Sequence, residues 1–161
     1  MFDLIPGDSS EGSVETLALD FDGVLSHHGG EQPLPEVLAW LQGWSTAIGN
    51  EMIFIFSNKP TPERAKWFEE NLPGVRFISG VRKKPFTEGL ELISKLSGTP
   101  ACKILMADDR LLTGCLCAVL AGAKPYYIRK PYIDLSQKTF KELFFMTLRS
   151  CERVFVRLLP Q

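Results

Sequence analysis

Two acidic residues, Asp20 and Asp22, are separated by one residue in the segment LALDFDGVL. In an extended chain residues i and i+2 point to the same side, so both carboxylates can face one ligand. Gly23 follows directly and permits a sharp change of backbone direction. Carboxylates arranged in this way can bind a metal ion, attack an electrophile or transfer a proton. This segment is therefore the first candidate for a functional site.

Polar residues also follow three further apolar runs, and together they offer a hydroxyl, an amide, a cation and two more acids. They are Ser57 and Asn58 after IFIF, Lys84 in GVRKKP, and Asp108 and Asp109 after ILMA. Each of them alone is compatible with a structural role, as part of a turn, a helix cap or a solvated loop. The whole set occurs in order at the ends of apolar runs, and this arrangement favours a shared function.

Short apolar runs alternate with amphipathic segments along the chain, and these elements must position the polar residues. Strands are predicted over 14–21, 52–57, 75–79, 103–107 and 125–128, and helices over about 35–48, 62–72, 86–96, 110–122 and 136–159. The alternation predicts an α/β fold with a single doubly wound parallel sheet of about five strands, flanked by helices. In such sheets ligands bind beyond the carboxyl ends of the strands, where the polar residues fall.

Length and composition predict one globular domain over residues 1–161, with a flexible N-terminal segment at 1–13. The chain is 45% hydrophobic and 23% charged with a net charge of −1, a balance that argues against a nucleic-acid-binding protein. No apolar run reaches the roughly 18–20 residues of a membrane span, and the first 15 residues contain no Lys or Arg. We therefore expect a soluble, cytoplasmic protein without a secretory signal.

The order of these motifs resembles the haloacid dehalogenase (HAD) superfamily over nearly the whole chain. The resemblance rests on D-x-D-G-V at 20–24, on Ser57 and Lys84 as the second and third motifs, and on Asp108 and Asp109 as the fourth. The stretch MADDRLLTGCLCAVLAGAKPYYIRKP is similar to the YqeG-like branch of subfamily IIIA, which includes phosphatidylglycerophosphate phosphatases. The resemblance implies a Rossmann-like core and Mg²⁺-dependent hydrolysis of a phosphomonoester.

The resemblance also implies a role for each catalytic residue. Asp20 attacks phosphorus and forms an aspartyl phosphate, while Asp22 protonates the leaving oxygen and later deprotonates the attacking water. Ser57 donates to a phosphoryl oxygen, and Lys84 offsets the charge of the phosphoryl group and the nucleophile. Further substrate contacts are expected from Gly23, which follows Asp22, and from Asn58, which follows Ser57.

The same resemblance implies a Mg²⁺ site made of oxygen ligands. These are Asp20, the backbone carbonyl of Asp22 and an acid of the fourth motif, with Asp109 favoured as the direct ligand and Asp108 as the alternative. One position departs from the pattern, because Gly114 stands where YqeG-like proteins have a second acid. A second interpretation therefore stays open: a catalytically impaired HAD-fold protein that binds a phosphorylated ligand or a protein partner.

The gaps between the motifs are too short to hold a cap domain. Asp22 and Ser57 are separated by 34 residues, and Ser57 and Lys84 by 26, each gap filled by the predicted core elements. By resemblance, a capless site is open to solvent and accompanies bulky substrates or closure by a second subunit. We therefore expect a bulky phosphorylated substrate, such as a phosphatidylglycerophosphate-like lipid, and an oligomer is compatible with this expectation.

The C-terminal part of the chain is basic. From Lys124 to Gln161 there are eight Lys/Arg against three Asp/Glu, and Arg149, Arg153 and Arg157 are spaced four residues apart on the amphipathic helix predicted at 136–159. One interpretation is that this helix simply packs on the sheet. The other is peripheral contact with an anionic membrane, which would suit a lipid-phosphate substrate.

Overall fold

The structure is a computed structural model that describes residues 14–132 and 146–154. Within these residues five parallel strands form one sheet: β1 (Thr16–Leu19), β2 (Ile53–Ile55), β3 (Arg76–Phe77), β4 (Ile104–Asp108) and β5 (Lys124–Tyr127). Their order across the sheet is β3-β2-β1-β4-β5, which makes β1 the central strand and β5 an edge strand, as predicted. The predicted α/β fold with a five-stranded parallel sheet is confirmed.

Five helices of the described ranges flank the sheet: α1 (Pro35–Ile48), α2 (Pro62–Asn71), α3 (Glu88–Ser97), α4 (Leu116–Ala121) and α5 (146–154). The bounds of α1 are those predicted from the sequence. α2 begins at Pro62, where the side chain of Thr61 accepts the N–H of Arg64 at 3.3 Å. Gly122 ends α4 in the left-handed conformation that a glycine C-cap requires.

One helix starts differently from the prediction. The sequence pattern predicts a regular helix over 110–122, but a π turn precedes α4. In this turn the N–H of Cys115 is donated to the carbonyl of Arg110 at 3.2 Å, and the N–H of Leu111 is donated to the carboxylate of Glu152 in α5 at 3.0 Å. The start of the helix is thus fixed partly by a distant segment of the chain, and hydrophobic periodicity does not indicate such a contact.

Successive residues of the central strand contribute to two hydrophobic cores, one on each face of the sheet. In β1, Leu17 and Leu19 pack with buried residues of α1 and α2, whereas Ala18 packs with buried residues of α3 and α4. Both faces are therefore covered by helices, and the strands are continuous apolar runs for this reason. The polar residues of interest therefore lie at the ends of the strands.

The C-terminal prediction is described only in part. Residues 146–154 are helical as expected, while the rest of 136–159 and the segment 1–13 lie outside the described residues. Among the residues that the structure describes, no helix is both long enough and apolar enough to cross a membrane.

Candidate functional site

The sheet brings most of the predicted site residues to one edge. Leu19 of β1 lies opposite both Ile55 of β2 and Ala107 of β4, so the residues that follow these three strands meet at their carboxyl ends. A cavity of about 150 Å³ opens there. Six of the predicted residues line it: Asp20, Asp22, Ser57, Asn58, Lys84 and Asp109. The cavity is also lined by four residues without an assigned role, which are His28, Lys59, Arg110 and Thr113.

Asp20, Asp108 and Asp109 form a compact acidic cluster beside this cavity. One carboxylate oxygen from each residue lies within 4.8 Å of the others. Asp108 and Asp109 are buried, and Asp20 is half-buried. Hard divalent cations such as Mg²⁺ prefer carboxylate oxygens, and a divalent charge offsets the repulsion among three close acids. These three residues could therefore hold a metal ion.

Lys84 connects two of the three acids. Its Nζ lies 3.1 Å from Oδ1 of Asp20 and 2.5 Å from Oδ2 of Asp108. Burial lowers the pKa of Lys84, but the charges of Asp108 and Asp20 outweigh burial and hold this pKa above its ordinary value. Lys84 is therefore a permanent cation inside the site.

Asn58 holds the backbone of this lysine. Its Oδ1 accepts the backbone N–H of Lys84 at 2.8 Å, and its Nδ2 donates to the carbonyl of the same residue at 3.3 Å. The two loops that follow β2 and β3 are joined by this pair of hydrogen bonds. Substrate binding by Asn58 stays a prediction, and the contacts seen here show that it positions Lys84.

Asp108 occupies space that only a glycine at position 114 leaves open. A Cβ atom added to Gly114 would overlap the carboxylate of Asp108. Asp108 is wholly buried, and its other oxygen accepts the backbone N–H of Arg110 at 2.8 Å. A side chain at 114 and the carboxylate of Asp108 in its present position therefore exclude each other.

Asp109 is paired with an arginine of α5. Nε of Arg149 donates to Oδ2 of Asp109 at 2.5 Å, and Nη2 of the same arginine contacts the same oxygen. Burial, and next the charge of Asp108, raise the pKa of Asp109 above its ordinary value despite the Arg149 contact. Gly23, predicted to bind substrate, lies against this pair, since a Cβ atom there would be 2.5 Å from Oδ2 of Asp109.

Asp22 is paired with a different arginine, Arg64 of α2. Nη2 and Nη1 of Arg64 donate to its two carboxylate oxygens at 2.8 and 3.2 Å, and the N–H of Gly29 adds a contact at 3.1 Å. Partial burial raises the pKa of Asp22, but the hydrogen bonds and charge of Arg64 prevail and leave this pKa below its ordinary value. Asp22 is therefore ionised at neutral pH.

Arg64 was not predicted as a site residue. It is 4% exposed, its guanidinium carbon lies 4.0 Å from the ring centroid of Phe21, and Nε donates to the carbonyl of Gly30 at 2.9 Å. A sequence signal for it exists. Arg64 precedes Phe68 by four residues in α2, so both lie on the face that packs against the sheet.

Arg149 was predicted to belong to a basic stripe along the C-terminal helix, but its side chain is only 2% exposed. It contacts Asp109 because α5 packs beside the end of β4, and it is therefore not available to a membrane surface in this structure. Arg153 contacts the hydroxyl of Tyr127 at 2.8 Å, and Arg157 lies outside the described residues. Membrane contact through this helix stays a prediction.

Comparison with known proteins supports the fold and no finer assignment. The chain is similar to the crystal structure of an uncharacterized protein from Corynebacterium glutamicum, with 22% sequence identity and a TM-score of 0.55. The match covers 86% of this chain and 96% of that one. No family model and no curated protein matches the sequence.

Proposed function

We propose that this chain is a Mg²⁺-dependent phosphatase of the HAD type, which hydrolyses a phosphomonoester through an aspartyl phosphate on Asp20. The observation that carries the proposal is the cluster of Asp20, Asp108 and Asp109, with Lys84 between the first two. A carboxylate attacks a phosphoryl group only where cations offset the charges of both groups. The cluster offers a nucleophile, metal ligands and a fixed cation together.

The oxygen donors suit Mg²⁺, with Asp20 and Asp109 as side-chain ligands and the backbone carbonyl of Asp22 as a third. Asp109 is the better direct ligand, because it lines the cavity while Asp108 is wholly buried against Lys84. A bound Mg²⁺ supplies electrostatic stabilisation of the charge on the phosphoryl oxygens.

The change at Gly114 is, on this proposal, a relocation of an acid and not a loss. The resemblance leads us to expect a second acid at position 114, and the carboxylate of Asp108 occupies the space of a side chain there. Asp108 reaches Lys84 from that position. The count of acids in the fourth motif is therefore maintained by the pair Asp108 and Asp109.

Two residues bind the phosphoryl group while Asp20 attacks it. Lys84 remains charged beside Asp20 and offsets the charge of the nucleophile and of the incoming phosphoryl oxygens. Oγ of Ser57 accepts the N–H of Lys59 at 3.2 Å, so the hydroxyl proton of Ser57 is left to donate to a phosphoryl oxygen. The cavity of about 150 Å³ suits a phosphoryl group, and the rest of a bulky substrate would lie outside it.

Asp22 serves better as a base than as an acid in this arrangement. Its ion pair with Arg64 lowers its pKa, so at neutral pH it carries no proton to give to a leaving oxygen. The ionised carboxylate is in the form that accepts a proton from the attacking water, although the same ion pair weakens it as a base. Substrates with acidic leaving groups need little protonation to depart. We therefore propose that aryl phosphates and similar esters are turned over faster than alkyl phosphates.

One observation favours a second candidate function, a phospho-ligand or protein-binding module without turnover. The two acids that flank the nucleophile, Asp22 and Asp109, are each already paired with a buried arginine, Arg64 and Arg149. Such pairs offset charge that a metal ion would otherwise offset. A protein of this kind would bind phosphorylated compounds without releasing phosphate.

The proposal is tested by phosphate release from a panel of phosphomonoesters, with Mg²⁺ and with EDTA. The panel contains aryl phosphates, nucleotides, sugar phosphates and phosphatidylglycerophosphate. We expect Mg²⁺-dependent release that Asp20→Asn lowers by about 10³-fold or more, since it removes the nucleophile at constant volume. Release at the wild-type rate in Asp20→Asn would refute the mechanism. Binding of a phosphorylated compound without release in the wild type would favour the binding module.

A further inference from the structure

α5 contacts the loop that carries Asp109 through two residues on one face. Arg149 and Glu152 are three positions apart, a spacing that places both side chains on the same side of a helix. Arg149 reaches Asp109, and Glu152 reaches the next two residues along the chain, Arg110 and Leu111. Three consecutive residues after β4 are therefore each held by α5.

The contact of Arg149 with Asp109 uses one carboxylate oxygen only. Nε and Nη2 both point to Oδ2, so Oδ1 is the oxygen that Asp109 can offer to a metal ion. The arrangement requires glycine at position 23, because a Cβ atom there would lie 2.5 Å from Oδ2 of Asp109 and 3.0 Å from Nη2 of Arg149. Arg149 therefore fixes the orientation of this carboxylate.

Glu152 fixes the backbone that follows Asp109. One of its oxygens accepts Nε of Arg110 at 2.8 Å and is also contacted by Nη2, while the other accepts the N–H of Leu111 at 3.0 Å. Glu152 is 4% exposed and Arg149 2% exposed. Burying such charges is costly unless each is paired, and both are paired with the loop that carries a candidate metal ligand.

We propose that Arg149 and Glu152 are positioning residues of the metal site, which hold Asp109 in the orientation that binds the ion. This inference rests on the proposed function, because it assumes that Asp109 is a metal ligand. Arg149 orients the carboxylate of Asp109, and Glu152 holds the backbone that follows Asp109. Residues that orient a metal ligand through hydrogen bonds typically affect metal affinity by about 10–100-fold. α5 is thus part of the site and not only a helix packed on the sheet.

The test is the affinity of the full-length, metal-free protein for Mn²⁺, measured by electron paramagnetic resonance of the free ion. Mn²⁺ takes the same oxygen ligands as Mg²⁺. We expect Arg149→Met and Glu152→Gln each to weaken Mn²⁺ binding by about 10-fold or more. Arg153→Met is the matched control, because Arg153 lies one turn further along the helix and contacts Tyr127 instead. It should keep the affinity within about twofold of the wild type, a change small against the effect of a lost orienting residue.

Circular dichroism and thermal unfolding of each variant show whether it folds. If Arg149→Met does not fold, Arg149→Lys and Glu152→Gln decide the question, since each keeps the volume of the side chain nearly unchanged. The positioning role would be overturned if the arginine variant and Glu152→Gln both bound Mn²⁺ with wild-type affinity, or if Arg149→Met bound it more tightly. Either result would leave the proposed function standing. A wild-type protein that does not bind Mn²⁺ would overturn both.

Discussion

Two acids of the site are each paired with a buried arginine, but their pKa values are shifted in opposite directions. Asp22, after β1, is held by Arg64 of α2, and its pKa lies below the ordinary value. Asp109, after β4, is held by Arg149 of α5, yet its pKa lies above the ordinary value.

The difference comes from what surrounds each pair. Asp22 accepts hydrogen bonds from the two terminal guanidinium nitrogens of Arg64 and from the N–H of Gly29, so the protein stabilises its charged form well. Asp109 is more deeply buried, and the charges of Asp108 and Asp20 lie close to it. An arginine partner therefore does not by itself decide the ionisation of an acid. On the proposed function, Asp22 takes part in proton transfer and Asp109 binds the metal ion.

Removing the arginine of the first pair has the largest expected effect on stability. Arg64→Met leaves Asp22 without its cation and removes the contact with the Phe21 ring and the carbonyl of Gly30. Breaking a buried ion pair from one side costs about 3 kcal/mol or more. We expect the free energy of unfolding from urea denaturation to fall by this amount.

The matched control for this variant is Lys66→Met, on the same helix, where an exposed ion pair with Glu70 is lost. Exposed pairs contribute about 0–1 kcal/mol, so this change should be small. Equal effects of Arg64→Met and Lys66→Met would show that the Asp22 pair contributes nothing particular to the fold.

The two acids of the fourth motif should differ in metal binding. Asp109→Ala removes the residue that lines the cavity, whereas Asp108→Ala removes a residue buried against Lys84. We expect the first change to weaken Mg²⁺ binding about 10-fold more than the second, because a direct ligand contributes more than a residue behind it. Titration of activity and of Mg²⁺ affinity in both variants measures this. A reversed order would move the direct ligand to Asp108.

The opposite pKa shifts predict opposite dependences of stability on pH. Because the folded pKa of Asp22 is lowered, its contribution is present above its unfolded pKa, near 4, and is lost as the pH falls through the folded value. Because the folded pKa of Asp109 is raised, the folded protein binds more protons than the unfolded chain above about pH 4, and stability falls as the pH rises from there. Each unit of difference between the folded and unfolded pKa changes the free energy of unfolding by about 1.4 kcal/mol.

Urea denaturation of metal-free protein from about pH 2 to about pH 8 measures the two slopes, because this range extends below the ordinary pKa of Asp22 and above the raised pKa of Asp109. Asp22→Asn should lessen the loss of stability on the acid side. Asp109→Asn should lessen the loss toward neutral pH without abolishing it, because burial also raises the pKa of Asp108, to about 6. If Asp109→Asn kept the wild-type decline, the raised pKa would have to be assigned to another group.

Much of the site was predictable from sequence, and the reason is physical. Apolar runs reveal buried strands, and parallel strands align their carboxyl ends, so Asp20, Ser57 and Asp108 could be placed at one edge before any coordinates. Arg64 and Arg149 could not be placed, because their partners lie 42 and 40 residues away and the pairs depend on how helices pack on the sheet. Charge spacing alone assigned Arg149 to a surface stripe.

The smallest expected effect concerns the membrane. With Arg149 buried, the basic stripe loses one of its three arginines, and each basic residue near an anionic surface contributes about 1 kcal/mol. We expect weak sedimentation with anionic liposomes that high salt abolishes, that Arg153→Met lowers, and that Arg149→Met leaves unchanged. Binding that does not depend on lipid charge, or that Arg149→Met lowers as much as Arg153→Met, would contradict the assignment of Arg149 to the site and of Arg153 to the membrane-facing surface.

The central claim is that Asp20 is phosphorylated during turnover, and trapping this intermediate tests it most directly. Protein mixed with an aryl phosphate and Mg²⁺ is quenched in acid within the first turnover and analysed by peptide mass spectrometry. We predict one phosphoryl group on the peptide that contains Asp20, absent with EDTA and absent in Asp20→Asn. Phosphate release without any adduct on that peptide, or an adduct on another residue, would contradict the account.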